Sequence, residues 1–112
     1  MWAPLRPGSV QIRPFIPNDI PAIALIVREA LRENYPTSLF LDIHKWWRDG
    51  LLVADLDGRP VGFLAAVISA EAQARILMFA VAAGYRRHGI GVALMDVFIQ
   101  NCANRGVRRI EL

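Results

Sequence analysis

The stretch Ile76–Gly91, ILMFAVAAGYRRHGIG, constrains this chain most, because distinct local signals follow one another in it without a gap. An apolar run reads as a buried strand, a short Ala-Gly turn follows, and Gly89 and Gly91 with Arg86 and Arg87 open a helical pattern. Glycines at a helix mouth let a ligand approach the backbone closely, and the unpaired N–H groups of the first turn point outward beside the positive end of the helix dipole. Arg86 and Arg87 add fixed positive charge to the same spot. The pattern outlines a phosphate site and points to a pyrophosphate-bearing cofactor. On these residues alone, a turn shaped by two glycines with solvated arginines stays open as the alternative.

The spacing excludes the commoner phosphate loops. No Gly-Lys-Ser/Thr follows, as a Walker loop needs, and the third glycine and downstream acid of a dinucleotide fingerprint are missing. Arg86-x-x-Gly89-x-Gly91 behind a hydrophobic strand instead resembles the acetyl-CoA motif Q/R-x-x-G-x-G/A of the Gcn5-related N-acetyltransferase (GNAT) family. Val81, Tyr85, Ile90 and Leu94 also stand where that pattern places them. The resemblance implies an acetyl-CoA-dependent N-acetyltransferase with acetyl-CoA or CoA as its cofactor. It implies that Phe79, Ala80 and Val81 hold the acetyl and pantetheine groups, and that Arg86, Arg87, His88, Gly89, Ile90, Gly91 and Val92 hold the pyrophosphate.

A chain of 112 residues forms one domain, stable only if every element is present. No apolar run approaches the length that spans a bilayer, and the first residues lack the layout of a signal peptide, so no membrane role and a cytoplasmic protein are expected. The single cysteine, Cys102, cannot form an internal disulfide and reads as a small buried hydrophobe on a helix. The net charge is only +3, with Arg86, Arg87, Arg105, Arg108 and Arg109 gathered late in the chain. Without aromatic interleaving or a nucleic-acid motif, these suit a phosphorylated cofactor better than direct nucleic-acid binding.

Taken in order, residues 1–9 read as a poorly ordered leader and residues 10–112 as the domain. Val10–Arg13 alternates as a half-buried strand. A helix capped by Asn18 or Asp19 then presents Ile20, Ile23, Leu25, Ile26, Ala30 and Leu31 and fades near Glu33-Asn34. A second helix is expected from Ser38 to Asp49 with Gly50 as its stop, and Trp46 and Trp47 at its end read as core or interface anchors. Leu51–Asp55 and Arg59–Ser69 form a hairpin about an Asp57-Gly58 turn, and residues 70–74 turn into a strand over Arg75–Ala82. The third helix runs from Ile90 to about Asn104, with Ile90, Leu94, Val97, Phe98 and Cys102 on one face and Gly106 as its stop, and a strand begins at Arg109. The order β-α-α-β-β-β-α-β defines an α/β (α+β) fold. It resembles the GNAT fold, a mixed, mostly antiparallel sheet flanked by helices.

A second patch narrows the resemblance. Leu31-Arg32-Glu33-Asn34-Tyr35-Pro36, followed by Leu39-Phe40, looks like the L-P-E-N-Y-P segment of the RimI/Ard1-like protein N-terminal (N-alpha) acetyltransferases, with Arg32 in place of the usual proline. In that group this loop forms one wall of the peptide groove. The resemblance implies a protein or peptide N-terminus as substrate, with Tyr35 contacting its first residues and Glu33 facing the α-amine as the catalytic base. A small amine, a lysine side chain, or non-catalytic acyl-CoA binding are the competing readings.

His88, with no Cys, Asp or Glu at ligand spacing, is expected to offer its backbone N–H with the imidazole in solvent. His44 is expected at the surface, and no metal is expected. The family pattern continues beyond Leu112 through the rest of a fifth strand, a helix and a tyrosine that protonates the leaving thiolate. The chain is therefore expected to be the N-terminal part of such a domain, inactive if it truly ends there. The uncovered edge of the Ile76–Val81 strand would in that case favour a homodimer or strand-paired association.

Overall fold

Alternating apolar side chains build the centre of the molecule. The computed structural model describes residues 10–112, and the expected leader over residues 1–9 lies outside them. The order is β1 (Val10–Pro14), a 3-10 turn (Pro17–Asp19), α1 (Ile20–Ile26), a π-helical turn (Val27–Leu31), α2 (Thr37–Trp46) and a second 3-10 turn (Arg48–Gly50). Then come β2 (Leu51–Leu56), β3 (Arg59–Ala70), β4 (Gln73–Val81), α3 (Ile90–Arg105) and β5 (Arg109–Glu111). The strands form one sheet in the order β1-β2-β3-β4-β5, antiparallel up to β4, with β5 parallel to β4. This is the mixed sheet expected.

Each sheet face has its own core. Leu51, Val53, Phe63 and Ala65 pack against Ile23, Ile26 and Val27 of the first helix and Phe40 and Ile43 of α2. Leu52, Ala54, Leu64 and Ala66, one residue out of phase, pack against Ile90, Leu94, Phe98 and Cys102 of α3. Each fully buried side chain of this size contributes about 1.5–3 kcal/mol.

Both hairpins are tight. Asp57 and Gly58 have φ of +51° and +88°, the left-handed pair of a type I′ turn, and the Asp55 carboxylate accepts the Gly58 N–H at 2.6 Å. The second turn is shorter than expected: Glu71-Ala72 suffices, with Ala72 at φ +59°, and β4 starts at Gln73. A bulge inside β4 has larger consequences. Ala65 pairs with Met78 and Ala66 with Ile76, so Leu77 is left without a partner. Ala74 and Ile76 consequently belong to the α3 side, whereas Met78 and Ala80 belong to the α1 and α2 side.

The first two helices depart from expectation in several places. Leu25 is exposed and Val27 is buried instead, just where α1 widens into the π turn. Arg32 ends that turn at φ +55°. Asp19 does not cap α1 with its side chain. Its carboxylate reaches back to accept the Ile16 N–H at 2.9 Å and both Arg13 terminal nitrogens at 2.8 Å. Helix α2 stops at Trp46 because Trp47 turns extended, at φ −157° and ψ 95°. The tryptophan pair therefore splits: Trp47 is buried on Phe98, ring centroids 5.9 Å apart, while Trp46 is 63% exposed. Gly50 is not a helix stop but a close-packing point, since a Cβ there would lie 2.4 Å from Trp47 Cε3 and 2.8 Å from the Ala66 carbonyl oxygen. His44 is half-buried rather than at the surface, its ring edge-on to Phe15 with centroids 5.3 Å apart.

Helix α3 ends as expected. Gly106 sits at φ +88°, and the Val107 N–H donates to the Cys102 carbonyl at 2.8 Å, satisfying the helix's last acceptors. Burial pushes the Cys102 thiol pKa up, in keeping with its place in the α3 core. Among the described residues, no helix is long and apolar enough to cross a membrane, and no group of three or more His, Cys, Asp or Glu could hold a metal ion.

Candidate active site

Among the described residues, the C-terminal half of β4 pairs with β3 alone. Parallel pairing with β5 covers only Gln73–Arg75. On the β3 side the Ala82 N–H donates to the Val61 carbonyl at 2.8 Å. Because backbone groups alternate along a strand, Ala80 and Ala82 face β3, and the N–H and C=O groups of Phe79 and Val81 face away from it.

Beyond Val81 the chain turns through left-handed backbone at Gly84 (φ +88°), Arg87 (φ +66°) and Gly89 (φ +80°). Gly89 is the N-cap of α3, and its carbonyl accepts the Ala93 N–H at 2.9 Å as the helix begins. The amides of Ile90, Gly91 and Val92 thus have no acceptor within the helix, beside the positive end of the dipole. A Cβ on Gly89 would meet nothing within 4 Å, and one on Gly91 only Phe79 Cζ at 3.5 Å. The space before these amides is open. It forms a cavity of about 270 Å³ lined by Val81, Tyr85, Arg86, Arg87, Gly89, Ile90, Gly91 and Val92.

A second cavity, about 320 Å³, lies between the π turn and the same end of β4, lined by Ala30, Leu31, Phe79, Ala80, Val81 and Arg86. Val81 and Arg86 belong to both. The Arg86 Nε donates to the Val81 carbonyl at 3.0 Å, which ties the turn to the strand. A strand end leading to a glycine-opened helix, with Arg86 and Arg87 lining the cavity before it, suits a ligand that carries a diphosphate. A larger cavity, about 480 Å³ beside Arg105 and Arg108 at the far end of α3, shares no residue with these two.

The candidate cofactor residues other than His88 each line one or both of these cavities. Ile90 borders the cavity although it is buried in the α3 core, and His88, half-buried rather than in solvent, lines neither cavity. Glu33 and Tyr35 stand apart. Both are exposed and line neither cavity, and the Tyr35 hydroxyl donates to the Glu33 carboxylate. That carboxylate pushes the Tyr35 phenol pKa up. No sequence signal marks a π turn, so nothing in the sequence identifies Ala30 and Leu31 as wall residues, although Leu31 opens the patch that contains Glu33 and Tyr35.

Residues 20–112 match the model of the acetyltransferase (GNAT) family, and the chain belongs to that family. An uncharacterized N-acetyltransferase of Methanocaldococcus jannaschii is 37% identical, the match covering 81% of this chain and 62% of that protein. An N-alpha-acetyltransferase of Sulfolobus acidocaldarius is 33% identical over 81% of this chain and 61% of that one. The crystal structure of Ard1 from Thermoplasma volcanium superposes with a TM-score of 0.84 at 37% identity, covering 88% of this chain and 67% of that one. The chain thus spans about 62% and 61% of the length of those curated relatives.

Proposed function

We propose that the protein is an acetyl-CoA-dependent N-acetyltransferase that acetylates the α-amine of protein or peptide N-termini. The observation that carries this is the Gly89–Gly91 helix mouth at the end of β4, with Arg86 and Arg87 lining its cavity and a second cavity meeting it at Val81 and Arg86. Acetyl-CoA, when bound, supplies an activated acyl thioester. The amides of His88, Gly89, Ile90, Gly91 and Val92, with Arg86 and Arg87, would hold its diphosphate, and the Phe79, Ala80 and Val81 strand end would hold its arm, with a strand N–H there as the donor to the acyl carbonyl.

The acceptor enters through the cavity floored by Ala30 and Leu31. An α-amine has a pKa of about 8, so a carboxylate removes its proton at modest cost before attack. The family resemblance assigns that role to Glu33, which lies outside the cavity lining two residues beyond Leu31, and assigns Tyr35, whose hydroxyl donates to that carboxylate, to contact with the peptide's first residues. The N-alpha assignment draws support from the Sulfolobus relative's name and from the Ard1 likeness. A cytoplasmic setting belongs to the same reading, consistent with the free thiol of Cys102.

Mass spectrometry of a peptide panel incubated with acetyl-CoA tests this. Acetylation is expected at free N-termini and not on peptides whose α-amine is blocked. Glu33→Gln is expected to slow turnover by roughly 100-fold with CoA affinity unchanged. Acetylation of lysine side chains alone would overturn the N-terminal reading, and CoA binding without turnover on any peptide would favour a non-catalytic acyl-CoA module.

A further inference from the structure

The hairpin between β2 and β3 brings a cation, Arg59, into contact with Tyr85, one of the residues that line the 270 Å³ cavity. Arg59 opens β3 opposite Leu56, just after the Asp57-Gly58 turn, and its Nη1 donates to the Tyr85 hydroxyl at 3.2 Å. Tyr85 lines that cavity, its ring packed on the α3-side core and its hydroxyl turned to the rim. The backbone under Arg59 is fixed from two sides. Gly58 is held by the Asp55 carboxylate, and Asp55 in turn by the Arg13 Nε at 2.8 Å. An exposed arginine ordinarily samples many rotamers, and here a hydroxyl docks it in one direction. Both ion pairs among the described residues belong to Arg13, so no carboxylate there neutralises the Arg59 guanidinium.

We propose that Arg59, docked on Tyr85, is a further cofactor-binding residue that places its guanidinium against a phosphate of the nucleotide half of CoA. The inference rests on the cofactor reading given above. Its physical basis is that an unneutralised, oriented cation at the rim of an anion cavity strengthens phosphate binding, and a planar fork suits phosphate oxygens better than a point charge. The diphosphate and the 3′-phosphate are both candidates for the partner, and their shared chemistry makes the prediction common to the two.

Isothermal titration calorimetry of the full chain with CoA and with dephospho-CoA, at low and high salt, decides the matter. Arg59→Ala is expected to weaken CoA roughly fivefold at low salt, with the loss shrinking as salt rises. Arg59→Lys should fall between wild type and Arg59→Ala, and Tyr85→Phe, which removes the docking hydroxyl but keeps the ring and the Arg59 charge, should reproduce part of the loss. A loss seen with CoA and absent with dephospho-CoA places Arg59 on the 3′-phosphate, and equal losses place it on the diphosphate. A hairpin merely destabilised by the substitution would lower the melting temperature without this salt and ligand dependence. If wild type binds CoA and Arg59→Ala binds it equally well at low salt, the inference is overturned while the cofactor reading stands. If wild type binds no CoA, the cofactor reading fails and the inference with it.

Discussion

The Nε of Arg86 donates to the carbonyl of Val81 at 3.0 Å, so the first arginine of the glycine turn closes a loop back onto the last residue of β4. Val81 presents that carbonyl on the side of β4 away from β3, and Arg86 borders both cavities. The side chain therefore couples the phosphate turn to the strand end. Arg86→Ala removes a charge and a charge-assisted hydrogen bond together, and CoA affinity is expected to fall roughly tenfold. Arg86→Lys keeps the charge without the fork and should recover part of it. Calorimetry reads both values, and wild-type affinity in Arg86→Ala would contradict the coupling.

The two glycines of the turn should respond in opposite ways. Gly89 sits at φ +80°, where a side chain costs about 1–2 kcal/mol of backbone strain, so Gly89→Ala should lower the melting temperature. Gly91 lies within the first turn of α3, and its added Cβ would make only an ordinary contact with Phe79 Cζ at 3.5 Å. Alanine is favoured over glycine inside a helix by about 1 kcal/mol. Gly91→Ala should therefore leave melting unchanged or raise it, while CoA affinity drops because the methyl stands where a ligand would approach the amide. A stable Gly91→Ala protein with undiminished CoA affinity would show that the backbone there is not approached.

These contrasts mark what was legible in the sequence. The Asp57-Gly58 turn, the Gly89–Gly91 helix start and the α3 face are local signals, and the fold follows them. The β4 bulge at Leu77 is set by pairing with β3, and every second residue from Ala74 to Ala80 is buried with or without it. The π turn that puts Ala30 and Leu31 on a cavity wall has no compositional mark either. Trp46 and Trp47 look alike in sequence, yet the extended backbone of Trp47 sends one inward and leaves the other in solvent. The Arg59 contact with Tyr85 joins residues far apart in the chain and was visible only once β3 lay beside β4.

Stability should decline on acidification through the Arg13 cluster. Hydrogen bonding from Arg13, and then from the Gly58 N–H, holds the Asp55 carboxyl below its ordinary range. A depressed folded pKa means the unfolded chain takes up the proton first, so the stabilisation is fully present above the unfolded value of about 4. It is lost as the pH falls from there through the folded value. Asp55→Asn should flatten the acid limb of a stability–pH curve measured by urea denaturation. An unchanged acid limb would remove Asp55 from the account.

Gly50 tests the packing between the second 3-10 turn and the sheet. A methyl there would stand 2.4 Å from Trp47 Cε3 and 2.8 Å from the Ala66 carbonyl oxygen. The oxygen belongs to β3, held between β2 and β4, and has little room to yield. The indole is pinned against Phe98, so relief on that side disturbs the α3 core. Overpacking of this kind costs about 1–3 kcal/mol, and Gly50→Ala should shift the denaturation midpoint accordingly. Adding Trp47→Phe shortens the ring system and relieves the indole clash but leaves the carbonyl contact. The pair should therefore be non-additive, with Gly50→Ala costing less in the Trp47→Phe background than in wild type. Strict additivity would mean that the Ala66 carbonyl, rather than the indole, sets the whole penalty.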